Sequence, residues 1–304
     1  MITLTGASKW YGQVIGINDI TCEIGPGITA LLGMNGAGKS TLMKLVTGQL
    51  RPTTGDVKVL GMDPFANPEV YKEVGYCPEI DRFYERRTGR QFVNFLARIS
   101  GMSAADAKRR TEEVLEIVGM SDRASKPIAS YSKGMRQRIK LAQAMLLDPK
   151  IILLDEPLNG LDPVGRRELI DLLAWLAGQG RTVLVSSHIL YEVEQMTRSL
   201  LLLHRGRLLA TGDLKVIRSL IDKYPHKVRI ETDDAKRLAG IITEFPNIVS
   251  LRFGIDGVLD LEVREPDIFY RNLNKAILDK NLPVNGFQSP DNNLEAVFSY
   301  LVER

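Results

Sequence analysis

The sequence predicts an α/β fold followed by a smaller α+β unit, and three observations predict it. Up to about residue 215, short β-rich runs alternate with helical patterns. One of these runs feeds a glycine-rich turn that opens a helix, the local grammar of a nucleotide-binding α/β sheet. Beyond the Tyr224-Pro225-His226 turn the order becomes strand, helix, strand, strand, helix, strand, helix, which suggests a ferredoxin-like appendage.

Taken in order, Ile28 to Leu32 reads as a buried strand and Lys39 to Thr47 as the helix after it. Asp56 to Leu60 reads as a further strand, closed by a Gly61-to-Pro68 turn region. From about Arg86 to Leu147 the pattern is helical, with apolar residues at three- and four-residue spacing over Ala104 to Val118 and Met135 to Leu147. Ile151 to Leu154 is an unbroken aliphatic strand between Asp148-Pro149 and Asp155-Glu156-Pro157. A helix from about Val164 to Leu176 and a strand from Thr182 to Ser186 follow. In the C-terminal unit the strands are expected at Lys227 to Glu231, Ile248 to Phe253, Val258 to Val263 and Val284 to Gln288. Its helices are expected at Asp234 to Thr243, Asp267 to Lys280 and Asn292 to Val302. A boundary near residue 222 divides the two, giving domains 1–222 and 223–304.

Composition narrows the partners. With 25% charged and 44% hydrophobic residues, the 304-residue chain has ample material for a core. A net charge of +3 gives no reason to expect nucleic acid as the main partner, since such domains concentrate basic residues on one face. The aliphatic runs, such as Leu200 to Leu203, fall far short of the roughly 18 to 20 apolar residues of a spanning helix. The N-terminus lacks the basic start and apolar stretch of a signal peptide, so any membrane role is expected to be peripheral. Cys22 and Cys77 are expected to be small buried thiols, not a disulfide.

The chemistry gathers at three places. Gly33-Met34-Asn35-Gly36-Ala37-Gly38-Lys39-Ser40 fits the P-loop pattern G-x-x-x-x-G-K-[ST] in its required strand-to-helix context, with Thr41 the next residue of the helix. Its glycines let backbone N–H groups wrap phosphate, and the helix N-terminus favours the negative charge. Lys39 is then placed for β- and γ-phosphates and the Ser40 hydroxyl for Mg²⁺. Second, the strand Ile151 to Leu154 delivers Asp155 and Glu156 to its C-terminal edge, where open α/β sheets bind ligands. Asp155 suits the metal, held through water, and Glu156 suits the attacking water. Third, His188 leaves the strand Thr182 to Ser186 and is expected at the same edge as a γ-phosphate contact.

With these motifs in place the chain resembles an ABC (ATP-binding cassette) ATPase over roughly residues 2 to 220. The most diagnostic segment is Tyr131-Ser132-Lys133-Gly134-Met135-Arg136-Gln137, similar to the family signature LSGGQ. The resemblance implies a P-loop cassette with a mixed sheet core and a helical subdomain at about residues 86 to 143, which receives a membrane partner. It implies ATP and Mg²⁺ as cofactors and a second subunit whose ATP is touched by Ser132 and Gly134. It also implies Tyr11, with Trp10 the alternative, as the aromatic stacked on adenine, and Asn159-Gly160-Leu161-Asp162 as the loop crossing the dimer. Glu79 stands where the family has a metal-contacting glutamine; that glutamate and the Leu294-Glu295-Ala296-Val297-Phe298 ending are similar to the type-two exporter branch. The implied function is an ATP-hydrolysing subunit, peripheral on the cytoplasmic face of the membrane, that drives a separate permease. A soluble relative acting on the ribosome or DNA is the alternative; a single P-loop and the lack of sustained heptads speak against it.

Overall fold

The computed structural model describes residues 1–213, 225–255 and 257–289. Contacts divide the chain into two units, Met1–Asp213 and Leu214–Arg304. The expected boundary at 222 and the expected helix at Asn292 to Val302, with its Leu294-to-Phe298 segment, lie outside the described residues.

The first unit is built on a six-stranded sheet. Its strands are β3 (Gly27–Leu32), β5 (Val74–Cys77), β6 (Ile151–Leu154), β7 (Thr182–Ser187), β8 (Ser199–His204) and β9 (Arg207–Asp213), in the order β5-β6-β7-β3-β8-β9. All neighbours are parallel except β8 and β9, so the sheet is mixed, as the family resemblance implies. β6 and β7 are buried at every residue, which is why they read as continuous apolar runs without alternation. Parallel register brings the C-terminal ends of β3, β5, β6 and β7 to one edge.

A second, antiparallel sheet of order β2-β1-β4 is formed by β1 (Ile2–Tyr11), β2 (Val14–Ile24) and β4 (Thr54–Val59). Sequence reasoning does not anticipate β1 and β2, because register shifts along β1 break the period-two pattern. Between the sheets runs α1 (Lys39–Val46), whose Leu42, Met43, Leu45 and Val46 join Leu4, Ile20 and Leu31 in one core. The short α2 (Pro68–Glu73), capped by Asn67, begins at the last residue of the segment read as turn.

The helical segment holds α3 (Gly89–Ile99), α4 (Ala104–Ile117) and α5 (Lys133–Ala144). Thr88 and Gln91 form a reciprocal capping box at the start of α3, worth about 1 kcal/mol. Phe92, Val114, Leu115, Ile139 and Leu141 pack with Leu154 and Val185 into a second core, which α6 (Pro163–Gly178) closes with Leu169, Leu173 and Leu176. The short α7 (Leu190–Met196) links β7 to β8. Among the described residues no helix is long and apolar enough to cross a membrane.

The second unit has β10 (His226–Thr232), α8 (Ala235–Ile242), β11 (Ile248–Phe253), β12 (Val258–Val263), α9 (Pro266–Lys280) and β13 (Val284–Gln288). Its sheet order β11-β12-β10-β13, antiparallel throughout, is the ferredoxin-like arrangement expected from the element order. Val228, Ile230, Leu259, Leu261 and Val263 alternate inward along β10 and β12 and meet Leu238, Ile242, Phe269 and Leu273 of the two helices.

Candidate functional site

The loop between β3 and α1 forms a cradle whose glycines have different reasons to be glycine. Gly38 has φ +107°, and a Cβ there would lie 2.4 Å from the Gly16 carbonyl oxygen, so both backbone and space forbid a side chain. Gly36 has φ +81° but open space around it, which leaves its backbone accessible to a ligand. The resulting cleft, about 330 Å³, is lined by Gly16, Asn35, Gly36, Ala37, Gly38, Lys39, Ser40, Thr41, Glu79, Asp155 and Glu156. Gly33 sits at the entry to the loop, packed against the Leu203 carbonyl.

Buried Lys39 reaches back across this loop. Its Nζ donates to the Gly33 carbonyl at 2.6 Å and lies 3.0 Å from Glu156 Oε1. Ser40 Oγ donates to Asp155 Oδ2 at 2.9 Å, so the first turn of α1 and the end of β6 share one polar contact. Asp155 is held in turn by its own N–H on the Cys77 carbonyl at 2.9 Å and by Ser186 Oγ, which donates to Oδ1 at 2.6 Å. Glu156 adopts φ +48°, a left-handed conformation that costs a non-glycine residue on the order of 1–2 kcal/mol. That turn swings its carboxylate back toward Lys39 and toward His188, whose Nδ1 lies 2.9 Å from Oε2.

The structure thus brings Lys39, Ser40, Asp155 and Glu156 together, adds His188 from the loop after β7, and sets Glu79 on the cleft wall. Tyr11 stands at the rim: its hydroxyl is 3.4 Å from Thr41 Oγ1, and its ring would touch any Cβ at Gly16. The Trp10 backbone N–H donates to Thr53 Oγ1 at 3.0 Å; both rings are exposed. Ser132 and Gly134 do not line this cleft. Ser132 caps α5 by accepting from the Met135 N–H, is exposed, and leaves Gly134 uncrowded in the first turn. Asp162 likewise caps α6 through the Gly165 N–H.

Some polar groups at this site escape sequence reasoning. Ser186, read only as the end of a strand, is fully buried between the two acids. Tyr76 lies on β5 beside Asp155; its burial first, and then the Asp155 charge, push its phenol well above the usual range. Lys140 of α5 is buried with its Nζ on the Pro78 and Glu79 carbonyls at 2.8 and 2.9 Å, tying α5 to the Glu79 loop. Cys77, below Asp155, is buried and donor-bonded by Gln137; burial lifts its thiol to about 11, as it does for Cys22, so neither is a ready nucleophile.

The chain is similar to known proteins. The family model described as ABC transporter matches residues 17–159. The chain is 32% identical over 305 residues to the ABC transporter ATP-binding protein YxlF of Bacillus subtilis (strain 168), covering 99% of each chain. The chain belongs to the ABC transporter ATP-binding proteins.

Within that family it is also 30% identical to the bacitracin transport ATP-binding protein BcrA of Bacillus licheniformis, over 99% of this chain and 97% of that one. The daunorubicin resistance ATP-binding protein DrrA3 of Streptomyces coeruleorubidus is 34% identical over 69% of this chain and 67% of its own. A solved ATP-binding subunit of an ABC transporter superposes with a TM-score of 0.64 at 32% identity, covering 72% of this chain and 92% of that one. As an ABC transporter ATP-binding subunit, the chain binds ATP and is an ATPase.

Proposed function

We propose that this ABC subunit pairs with a second ATPase subunit, as a homodimer, around two ATP molecules, and drives a separate exporter permease from the cytoplasmic face of the membrane. The observation that carries the shared site is the division of labour within one chain. Lys39, Ser40, Asp155 and Glu156 line one cleft, with His188 bonded to Glu156, while the capped tip of α5 presents Ser132 and Gly134 outside that cleft. A helix N-terminus is suited to an anion. A second copy supplies that anion as the γ-phosphate held in its own cleft. The export assignment draws support from the full-length bacitracin-transport relative and the daunorubicin-resistance relative.

In this reading Lys39 neutralises β- and γ-phosphate oxygens, the amides of Gly36, Ala37 and Gly38 cradle them, and Tyr11 stacks on adenine from the rim. Glu156 orients the attacking water while His188 steadies its carboxylate and contacts the γ-phosphate. The residues fit Mg²⁺: the Ser40 hydroxyl and Asp155 carboxylate lie 2.9 Å apart, and oxygen donors with few carboxylates suit an ion that keeps waters and borrows phosphate oxygens. Ser40 would hold it directly and Asp155 through water; bound there, it would neutralise charge on the phosphates. Glu79 in the glutamine position adds a carboxylate to this wall. The permease docks on the helical segment, where Tyr84, Arg87, Gln91, Phe92, Phe95 and Arg98 line a groove of about 460 Å³.

Replacing Glu156 with Gln tests the proposal. Sedimentation of Glu156→Gln is expected to show a dimer with Mg-ATP and a monomer without it, and Lys39→Ala is expected to remove the response. A Glu156→Gln chain that binds ATP but stays monomeric sinks the shared site.

A further inference from the structure

We infer that Ser186 is the positioning residue that sets both acids of the ATPase site, an assignment that rests on the roles proposed above for Asp155 and Glu156. Its side chain is fully buried, and its single hydroxyl is used twice. The proton goes to Asp155 Oδ1 at 2.6 Å, and a lone pair accepts the Glu156 N–H at 2.8 Å. The first bond leaves Oδ2 as the carboxylate oxygen that faces Ser40 at 2.9 Å. The second holds the peptide at which the chain turns into the left-handed conformation of Glu156, φ +48°. Without that turn Glu156 does not reach Lys39 at 3.0 Å and His188 at 2.9 Å.

The strand explains why one residue can do this. β6 and β7 are parallel neighbours with Leu154 opposite Val185, so the residue after Val185 falls beside the first residue beyond the end of β6. The next residue, Ser187, points elsewhere: its hydroxyl bonds Glu192 at 3.0 Å and the Ile189 N–H at 3.0 Å, shaping the loop that carries His188. Strand alternation therefore divides two adjacent serines between the acids and the histidine loop. An alanine at 186 leaves a buried carboxylate oxygen and a buried N–H each without its partner.

The test uses the purified full-length chain with Mn²⁺ as the metal probe. Mn²⁺ affinity in the presence of ATP is read by electron paramagnetic resonance, ATP affinity is read in EDTA, and turnover is read with Mg-ATP. Ser186→Ala is expected to weaken Mn²⁺ binding about tenfold or more and to lower turnover by about 10–100-fold, the usual effect of removing an outer-shell partner, with metal-free ATP affinity within about twofold. Ser186→Thr, which keeps the hydroxyl, is expected to recover both. Mn²⁺ affinity and turnover within about twofold of wild type in Ser186→Ala overturn the inference, and so does an equal loss of metal-free ATP affinity. Should the alanine chain fail to fold, Ser186→Cys, a far weaker donor, is read by the same criteria. Asp155→Ala separates the layers: if it leaves Mn²⁺ affinity unchanged, the Asp155 assignment fails, whereas a weakened Asp155→Ala beside an unaffected Ser186→Ala sinks Ser186 alone.

Discussion

Glu156 and His188 meet at 2.9 Å between Oε2 and Nδ1, while the other oxygen of the same carboxylate lies 3.0 Å from Lys39. One oxygen is therefore ion-paired with Lys39 at the start of α1, and the other is bonded to the loop after β7. Replacing His188 with Ala releases one oxygen and leaves the lysine contact. Turnover is expected to fall about 100-fold or more, the scale of a positioned acid-base partner, with ATP affinity within about threefold. Single-turnover ATPase and equilibrium nucleotide binding check this; a variant with wild-type turnover removes His188 from the site.

Gly75 offers a stability prediction without chemistry in it. It lies on β5, and a Cβ there would sit 2.1 Å from the Ala144 carbonyl oxygen at the end of α5. The obstacle is backbone, with the Pro149 ring also 3.0 Å away, which leaves little room to give. Gly75→Ala is expected to cost about 1–3 kcal/mol by overpacking and to lower the melting temperature by roughly 3–10 °C. Calorimetry that shows no shift means that α5 and β5 are not packed this closely.

Arg136 gives a pH dependence. It donates to Asp81 at 2.8 Å and to Glu85 at 3.0 Å, and these hydrogen bonds hold both carboxyls below their usual range. A carboxyl whose pKa is depressed by folding adds stability above its unfolded value and loses it as pH falls through the folded one. The stability gap between wild type and Arg136→Gln is therefore expected to be full at neutral pH and to close below about pH 4, near the unfolded values. Glu85 is exposed and Asp81 partly so, and solvent screening therefore keeps the gap itself small. Denaturation midpoints from pH 7 down to pH 3 measure it; a gap that widens in acid contradicts the assignment.

The groove on α3 makes a prediction about the partner. Phe95 and Tyr84 are exposed and pack edge to face with centroids 6.0 Å apart. Phe95→Asp is expected to leave ATP turnover of the isolated chain unchanged and to abolish co-purification with the permease. Full retention of the permease moves the docking surface elsewhere.

Much of the site is legible in the sequence because its parts are contiguous strings. Gly33 to Ser40 and Ile151 to Glu156 each place chemistry directly after a buried parallel strand, and the parallel register brings them to one edge. Alternation along β10 and β12 makes the C-terminal sheet equally readable. Where legibility fails, the causes are local. β1 is broken by bulges, and β5 has only four residues, too few for a period to emerge. Ser186 looks like the polar end of an apolar strand; its two bonds come from a neighbouring strand 30 and 31 residues away, a pairing only the sheet order reveals. Tyr76 and Lys140 are likewise assigned by neighbours, Asp155 and the Glu79 loop, that no local pattern announces.

In the proposed dimer, the α5 tip of one copy completes the site around a nucleotide held by the other. The structure of the Glu156→Gln chain grown with Mg-ATP measures this directly. The expected result is a two-fold dimer in which the Ser132 hydroxyl and Gly134 amide of one copy lie about 3 Å from the γ-phosphate bound at Lys39 of the other. A triphosphate bound at Lys39 with Ser132 of every copy facing solvent contradicts it.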